Sequence, residues 1–154
     1  MRRSWVVSTV CAHKERGKTD VFPASECDSV AGRRIRVLVV DQNSAARHAM
    51  ATCVTAFDDM ELAGEAADGE EALRLCGSQS PDIVLMAITM PGMSGAETTR
   101  AIHERWPASR VIGMSTFREE DQVPDVMQAG AVDWLLKNVS ADDLAHTIRQ
   151  AYAR

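Results

Sequence analysis

Three polar residues stand immediately beyond apolar runs, where a chain leaving a buried strand delivers a side chain to the strand's carboxyl end. They are Asp41 after Ile35 to Val40, Ser115 after Val111 to Met114, and Lys137 after Val132 to Leu136. A carboxylate, a hydroxyl and an ammonium gathered in one crevice are parts of a site for a phosphoryl group and a divalent metal. The fourth position of the series falls in the run Ile83-Val84-Leu85-Met86-Ala87-Ile88-Thr89-Met90, where Ala87 offers a methyl group and no oxygen. The pattern predicts a crevice that has an anion, a cation and a hydroxyl but lacks its central acid.

The elements that must carry these residues are written in the periodicity. Ile35 to Val40 has no polar alternation, as expected of a strand covered on both faces. Asn43-Ser44 opens a helix with Ala46, Met50, Cys53, Val54 and Phe57 on one face. Met60 to Ala66 is a second strand. Asp68-Gly69 starts a helix with Ala72, Leu73 and Cys76 inward, ended by Ser80-Pro81 ahead of the third strand. After the turn at Pro91-Gly92, Thr98, Ile102 and Trp106 recur at four-residue spacing and Pro107 closes the helix. The fourth strand is Val111 to Met114, followed by a short helix that tolerates Pro124 only in its first turn. Val132 to Leu136 is the fifth strand, and Ser140 caps a last helix with Leu144, Ile148 and Tyr152 inward. Five strands alternating with five helices on short loops imply right-handed crossovers and a doubly wound α/β fold around a five-stranded parallel sheet. In such sheets ligands sit outside the carboxyl ends of the strands, where Asp41, Ala87, Ser115 and Lys137 lie.

Composition narrows the function classes. The chain has 154 residues, 45% of them apolar and 25% charged, which suits one soluble domain with an appendage. Net charge is uneven, +3 over residues 1–34 and −8 over residues 35–154. A domain that acidic lacks the basic patches needed for phosphate-backbone contact, so direct nucleic-acid binding is not expected of it. No stretch approaches a membrane span. Cys11, Cys27, Cys53 and Cys76 have no metal spacing and read as reduced cytoplasmic thiols, while His48, His103 and His146 are scattered over separate helices and are assigned to surfaces. Residues 1–34 show no period that would pack a face and are expected to form a disordered extension, or an untranslated leader if synthesis starts near Val30. Residues 35–154 make the folded domain.

Val39-Val40-Asp41, the loop Met90-Pro91-Gly92-Met93-Ser94-Gly95, Met114-Ser115 and Trp134-Leu135-Leu136-Lys137 together resemble the receiver domain of bacterial two-component response regulators, over Arg34 to Arg154. The loop and the Leu-Leu-Lys ending are most similar to the subgroup that often carries a helix-turn-helix output domain. The resemblance implies a flavodoxin-like sheet of order 2-1-3-4-5 and a pocket built from Asp41, Gln42, Ala87, Thr89, Ser115 and Lys137, with Trp134 at the position of the switch aromatic. A typical receiver has two acids after the first strand that hold Mg²⁺, and an aspartate ending the third strand that accepts phosphate from a histidine kinase. Asp41 fits the first acid, Gln42 replaces the second, and Ala87 replaces the acceptor.

Those departures set the expectations. Aspartyl phosphate cannot form on a methyl group, and a hard cation left with Asp41 as its one carboxylate should bind weakly or not at all, so no cofactor is expected. Asp41 and Lys137 can instead neutralise each other without a metal. The expected role is a non-enzymatic, cytoplasmic signalling module. It would act through a protein partner or its own twin, by way of the fourth helix, fifth strand and fifth helix, and a histidine kinase could dock without phosphotransfer. The competing reading is the receiver half of a DNA-binding transcription regulator whose output domain lies outside this chain, with Ala87 an engineered substitution. A flavin-type enzyme on the same scaffold is disfavoured because Asp41-Gln42-Asn43-Ser44 offers no glycine-rich phosphate cradle.

Overall fold

The computed structural model describes residues 33–116 and 122–154. In chain order the elements are β1 (Ile35–Val40), α1 (Ser44–Thr55), β2 (Met60–Ala66), α2 (Gly69–Gln79), β3 (Ile83–Ala87), α3 (Gly95–Arg105), β4 (Arg110–Ser115), α4 (Val123–Ala129), β5 (Asp133–Leu136) and α5 (Ala141–Ala153). The strands form one parallel sheet of order β2-β1-β3-β4-β5: the alternation predicts the doubly wound parallel sheet, and the resemblance to receiver domains its flavodoxin-like order. The expected extension falls, up to residue 32, outside the described residues.

Strand alternation divides the core into two layers. Val37, Val39, Ile83, Leu85, Ile112 and Met114 face α1 and α5, which contribute Met50, Val54, Leu144, Ile148 and Ala151. Leu38, Val40, Val84, Met86 and Val111 face the opposite way, onto Ala72 and Cys76 of α2, Ile102 of α3 and Val126 of α4. All five residues of β3 are buried, which is why that run is apolar without alternation.

The helix starts are set by side chains that satisfy otherwise orphaned N–H groups. Asn43 accepts from the Ala46 N–H, Asp68 from Glu71 and Ser140 from Asp143, while Ser94 and Glu97 form a reciprocal capping box on α3. That box holds the Glu97 carboxyl below the usual range, chiefly through the Ser94 backbone N–H. Pro124 sits in the first turn of α4, where a missing N–H costs nothing, and α4 ends after seven residues at Gly130 with φ +123°.

Four expectations need correcting. Phe57 is not on the α1 helix, which ends at Thr55. It packs on the core from the following turn, with the Arg149 guanidinium 5.1 Å from its ring centre. Trp106 is likewise beyond α3, as its C-cap, and half-buried. Helical spacing continues through both positions because backbone hydrogen bonding carries past the last helical residue: the Trp106 N–H still donates to the Ile102 carbonyl at 2.7 Å, and the Phe57 N–H to that of Val54 at 3.3 Å. Finally, β4 extends one residue further at each end than expected and β5 begins at Asp133 rather than Val132.

Candidate functional site

Strand register brings the predicted residues to one end of the sheet. Val40 pairs with Met86, which puts Asp41 level with Ala87. Ala87 pairs with Met114, and Ser115 pairs with Leu136, so Ser115 and Lys137 emerge one step further along on the neighbouring strands. Backbone bonds continue past the strand ends: the Ile88 N–H donates to the Met114 carbonyl at 3.0 Å, and the Lys137 N–H to the Ser115 carbonyl at 2.8 Å.

The third strand leaves the sheet through a turn that lets α3 start hard against it. Gly92 takes φ +74°, available to glycine at little cost. At Gly95 a Cβ would lie 2.6 Å from the Ala87 carbonyl oxygen and 2.7 Å from that of Ile88, so a side chain there collides with backbone. Glycine is what allows the first turn of α3 to close over the end of β3. Ala87 and Ile88 are correspondingly buried.

Asp41 is the centre of the polar contacts. It is 2% exposed. Its Oδ2 lies 2.8 Å from the Lys137 Nζ, and among the described residues no other hydrogen-bond donor reaches that oxygen. The ammonium stands off the direction of a well-formed hydrogen bond, so the contact is mainly Coulombic. Oδ1 accepts the Asn43 N–H at 2.9 Å, and the main-chain carbonyl accepts the Arg47 Nη1 at 2.7 Å. Lys137 is 22% exposed along its side chain, its ammonium reaching in from the crevice rim.

The other predicted residues divide. Ser115 is buried beside this pair, whereas Gln42 is exposed. Thr89 is exposed on the loop after β3, its hydroxyl 3.5 Å from the Gln122 side chain just ahead of α4. Trp134 is half-buried on edge strand β5, in an open hollow shared with Leu135, Leu136, Asn138 and Val139. His48, His103 and His146 are exposed on three separate helices.

For a divalent ion the donor set is poor. Magnesium wants near-octahedral oxygen ligation. Here the pocket's carboxylate accepts the Asn43 N–H at one oxygen and faces the Lys137 ammonium with the other, Gln42 could add only a neutral carbonyl, and among the described residues no three His, Cys, Asp or Glu side chains gather as a metal site.

Arg47, Glu65 and Asn43 belong to the site and are not among the strand-end residues of the sequence analysis. Arg47 reaches Asp41 and Glu65 at once, with Nε 3.2 Å from Glu65 Oε1. The available signal was that Arg47 is the only Lys or Arg in α1, in the first turn after Asp41.

Comparison with known proteins gives the same family from three directions. The family profile of the response regulator receiver domain matches residues 37–149. The transcriptional regulatory protein LiaR of Bacillus subtilis is 39% identical over 117 residues, 76% of this chain and 56% of that protein. The nitrate/nitrite response regulator protein NarL of Escherichia coli is 31% identical over 76% of this chain and 54% of its own. This chain therefore spans about half the length of the curated relatives it matches. Among solved structures, the response regulator domain of Thermotoga maritima CheB superposes with a TM-score of 0.73 at 32% identity, covering 79% of this chain and 98% of that one. The NarL receiver domain from Mycobacterium tuberculosis gives 0.74 at 28% identity over the same shares. The strand order, the converging strand ends and these likenesses agree: the chain belongs to the response regulator receiver domain family.

Proposed function

We propose that this domain is the receiver part of a transcriptional response regulator that takes up no phosphate at position 87 and signals through the proteins it contacts. The transcriptional names of LiaR and NarL, of which the match covers only 56% and 54%, support the first half. DNA contact would belong to a further domain, since residues 35–154 carry a net charge of −8. The second half rests on one observation, the 2.8 Å pair between Lys137 and buried Asp41 at the level of the Ala87 methyl group. A phosphoacceptor carboxylate would compete for that lysine. With alanine there, the cation and the remaining acid neutralise each other, and the pocket needs neither Mg²⁺ nor a phosphoryl group to be electrostatically complete.

Such a domain catalyses nothing and works in the cytoplasm as a docking module. Its output surface is α4, β5 and α5, including the hollow beside Trp134, and a partner shifts that surface only by binding its alternative arrangements unequally. A histidine kinase could still dock on it without transferring phosphate.

The test is incubation with acetyl phosphate and Mg²⁺ followed by intact mass. No phosphoryl adduct is expected, and an adduct would overturn the reading. Ala87→Asp separates natural divergence from a single substitution in an otherwise competent site. Gln42 supports divergence, because silencing position 87 needs no change at 42. Little phosphorylation of Ala87→Asp, with recovery only when Gln42→Asp is added, is the expected result. Full recovery from Ala87→Asp alone would favour the single substitution.

A further inference from the structure

Each oxygen of Asp41 faces a partner from within the domain: Oδ1 accepts the Asn43 N–H, Oδ2 is ion-paired with the Lys137 ammonium, and the main-chain carbonyl accepts from the Arg47 guanidinium. The third contact differs from the others, because it acts on the backbone of the acid. Arg47 is 20% exposed, and its two contacts use different edges of the guanidinium: Nη1 on the Asp41 carbonyl at 2.7 Å and Nε on Glu65 at 3.2 Å. One side chain on α1 thereby ties the end of β1 to edge strand β2. The planar fork serves the two oxygens from two separate nitrogens, whereas a lysine would have to reach both from one.

We infer that Arg47 is a positioning residue of this pocket: by fixing the Asp41 carbonyl it aims the carboxylate at Lys137 and holds the pair closed with no divalent ion. The inference rests on the reading that the pocket works without Mg²⁺. A bound metal would organise a receiver pocket by drawing acid oxygens together from the ligand side. Here the donor set does not fit that ion, and a resident guanidinium organises the acid from its backbone side instead. Glu65 is the anchor that keeps the guanidinium in plane.

The chain carries its own reporters. Lys137 is the only lysine after Lys18, and Cys76 is fully buried in the opposite core layer. Pulsed acylation of the full chain with acetic anhydride, with peptide mapping of Lys137, reads how open the pair is. Iodoacetamide on Cys76 reads global unfolding in the same sample. Asp41→Ala, which removes the pair outright, should raise Lys137 acylation about fivefold, and Arg47→Ala should do so to a comparable degree while Cys76 stays unreactive. Arg47→Lys, which keeps the charge but loses the fork, should fall between wild type and Arg47→Ala.

An acylation rate in Arg47→Ala within about twofold of wild type, alongside a raised rate in Asp41→Ala, overturns the role of Arg47 and leaves the metal-free pair standing. An unchanged rate in both variants means that the pair is open in solution and overturns both. Should Cys76 react in Arg47→Ala, Glu65→Gln decides: a rise in Lys137 acylation with Cys76 silent supports the inference, and no rise overturns it. Phosphoryl uptake from acetyl phosphate, measured separately, sinks the functional reading whatever the labelling shows.

Discussion

Lys137→Ala removes the cation from a carboxylate that has almost no access to water. Breaking a buried ion pair from one side costs about 3–5 kcal/mol, because the partner is left charged and unsolvated. Two features of this pocket reduce that figure: the Asn43 N–H still serves Oδ1, and the lysine approaches from a rim where its side chain is 22% exposed, so water can follow it in. A loss of about 2–3 kcal/mol is expected, or roughly 10 °C in Tm for a domain of this size. Asp41→Asn removes the same pair from the other end. It should cost only about 1 kcal/mol, because Lys137 can turn to solvent and the amide oxygen can keep the Asn43 N–H. The double variant should lose less than the two singles together, with a coupling of about 1 kcal/mol or more. Urea unfolding at pH 7 with unchanged m-values measures all three. Strict additivity, or Asp41→Asn as costly as Lys137→Ala, would refute the claim that a buried anion is stabilised here by one resident cation.

Gly95→Ala should destabilise by about 2–4 kcal/mol although alanine is the better helix former, because the new Cβ meets the Ala87 and Ile88 carbonyls at 2.6 and 2.7 Å. Gly92→Ala, with no atom within 4 Å of the added Cβ, should lose only the roughly 1 kcal/mol of its positive φ; equal losses in urea melts would contradict the close approach. Burial pushes the Cys76 thiol from its usual 9.0 up to about 11. Its folded-state value is raised, so its contribution is complete below pH 9 and disappears as pH climbs through 11, roughly 2–3 kcal/mol in all; Cys76→Ala should lack that segment of the stability profile. The hydrogen bonds from Arg149 hold the Asp59 carboxyl below its usual 3.8. That contribution is present above pH 3.8 and is lost as pH falls through the folded value. Arg149→Ala, at an exposed pair, should therefore cost about 1 kcal/mol or less at neutral pH, part of it from Phe57, and the gap to wild type should narrow in acid.

What one sequence reveals about such a domain depends on how local the information is. The run Ile83 to Ala87 announces a strand buried on both faces because a central parallel strand has no solvent side on which to alternate. The caps at Asn43, Asp68 and Ser140 are readable for the same reason, since each acts on an N–H within three residues. Arg47 could not be recognised in this way. Its partners are a carbonyl and a carboxylate on two different strands, and a backbone carbonyl carries no mark in the amino-acid letters. Phe57 and Trp106 show the reverse error, where correct helical spacing survives past the end of the helix.

Residue types alone therefore determined the alternating elements, the apolar central strand, and the lack of an oxygen at position 87. Tertiary structure decided the rest. Whether Asp41 meets Lys137 depends on three strand pairings in register, because an acid and an amine far apart in the chain neutralise each other only when intervening strands put them within about 3 Å. The same sheet closes the Ala87 methyl into the core and turns Gln42 out to water, a distinction between adjacent strand ends that periodicity, being a local quantity, does not contain.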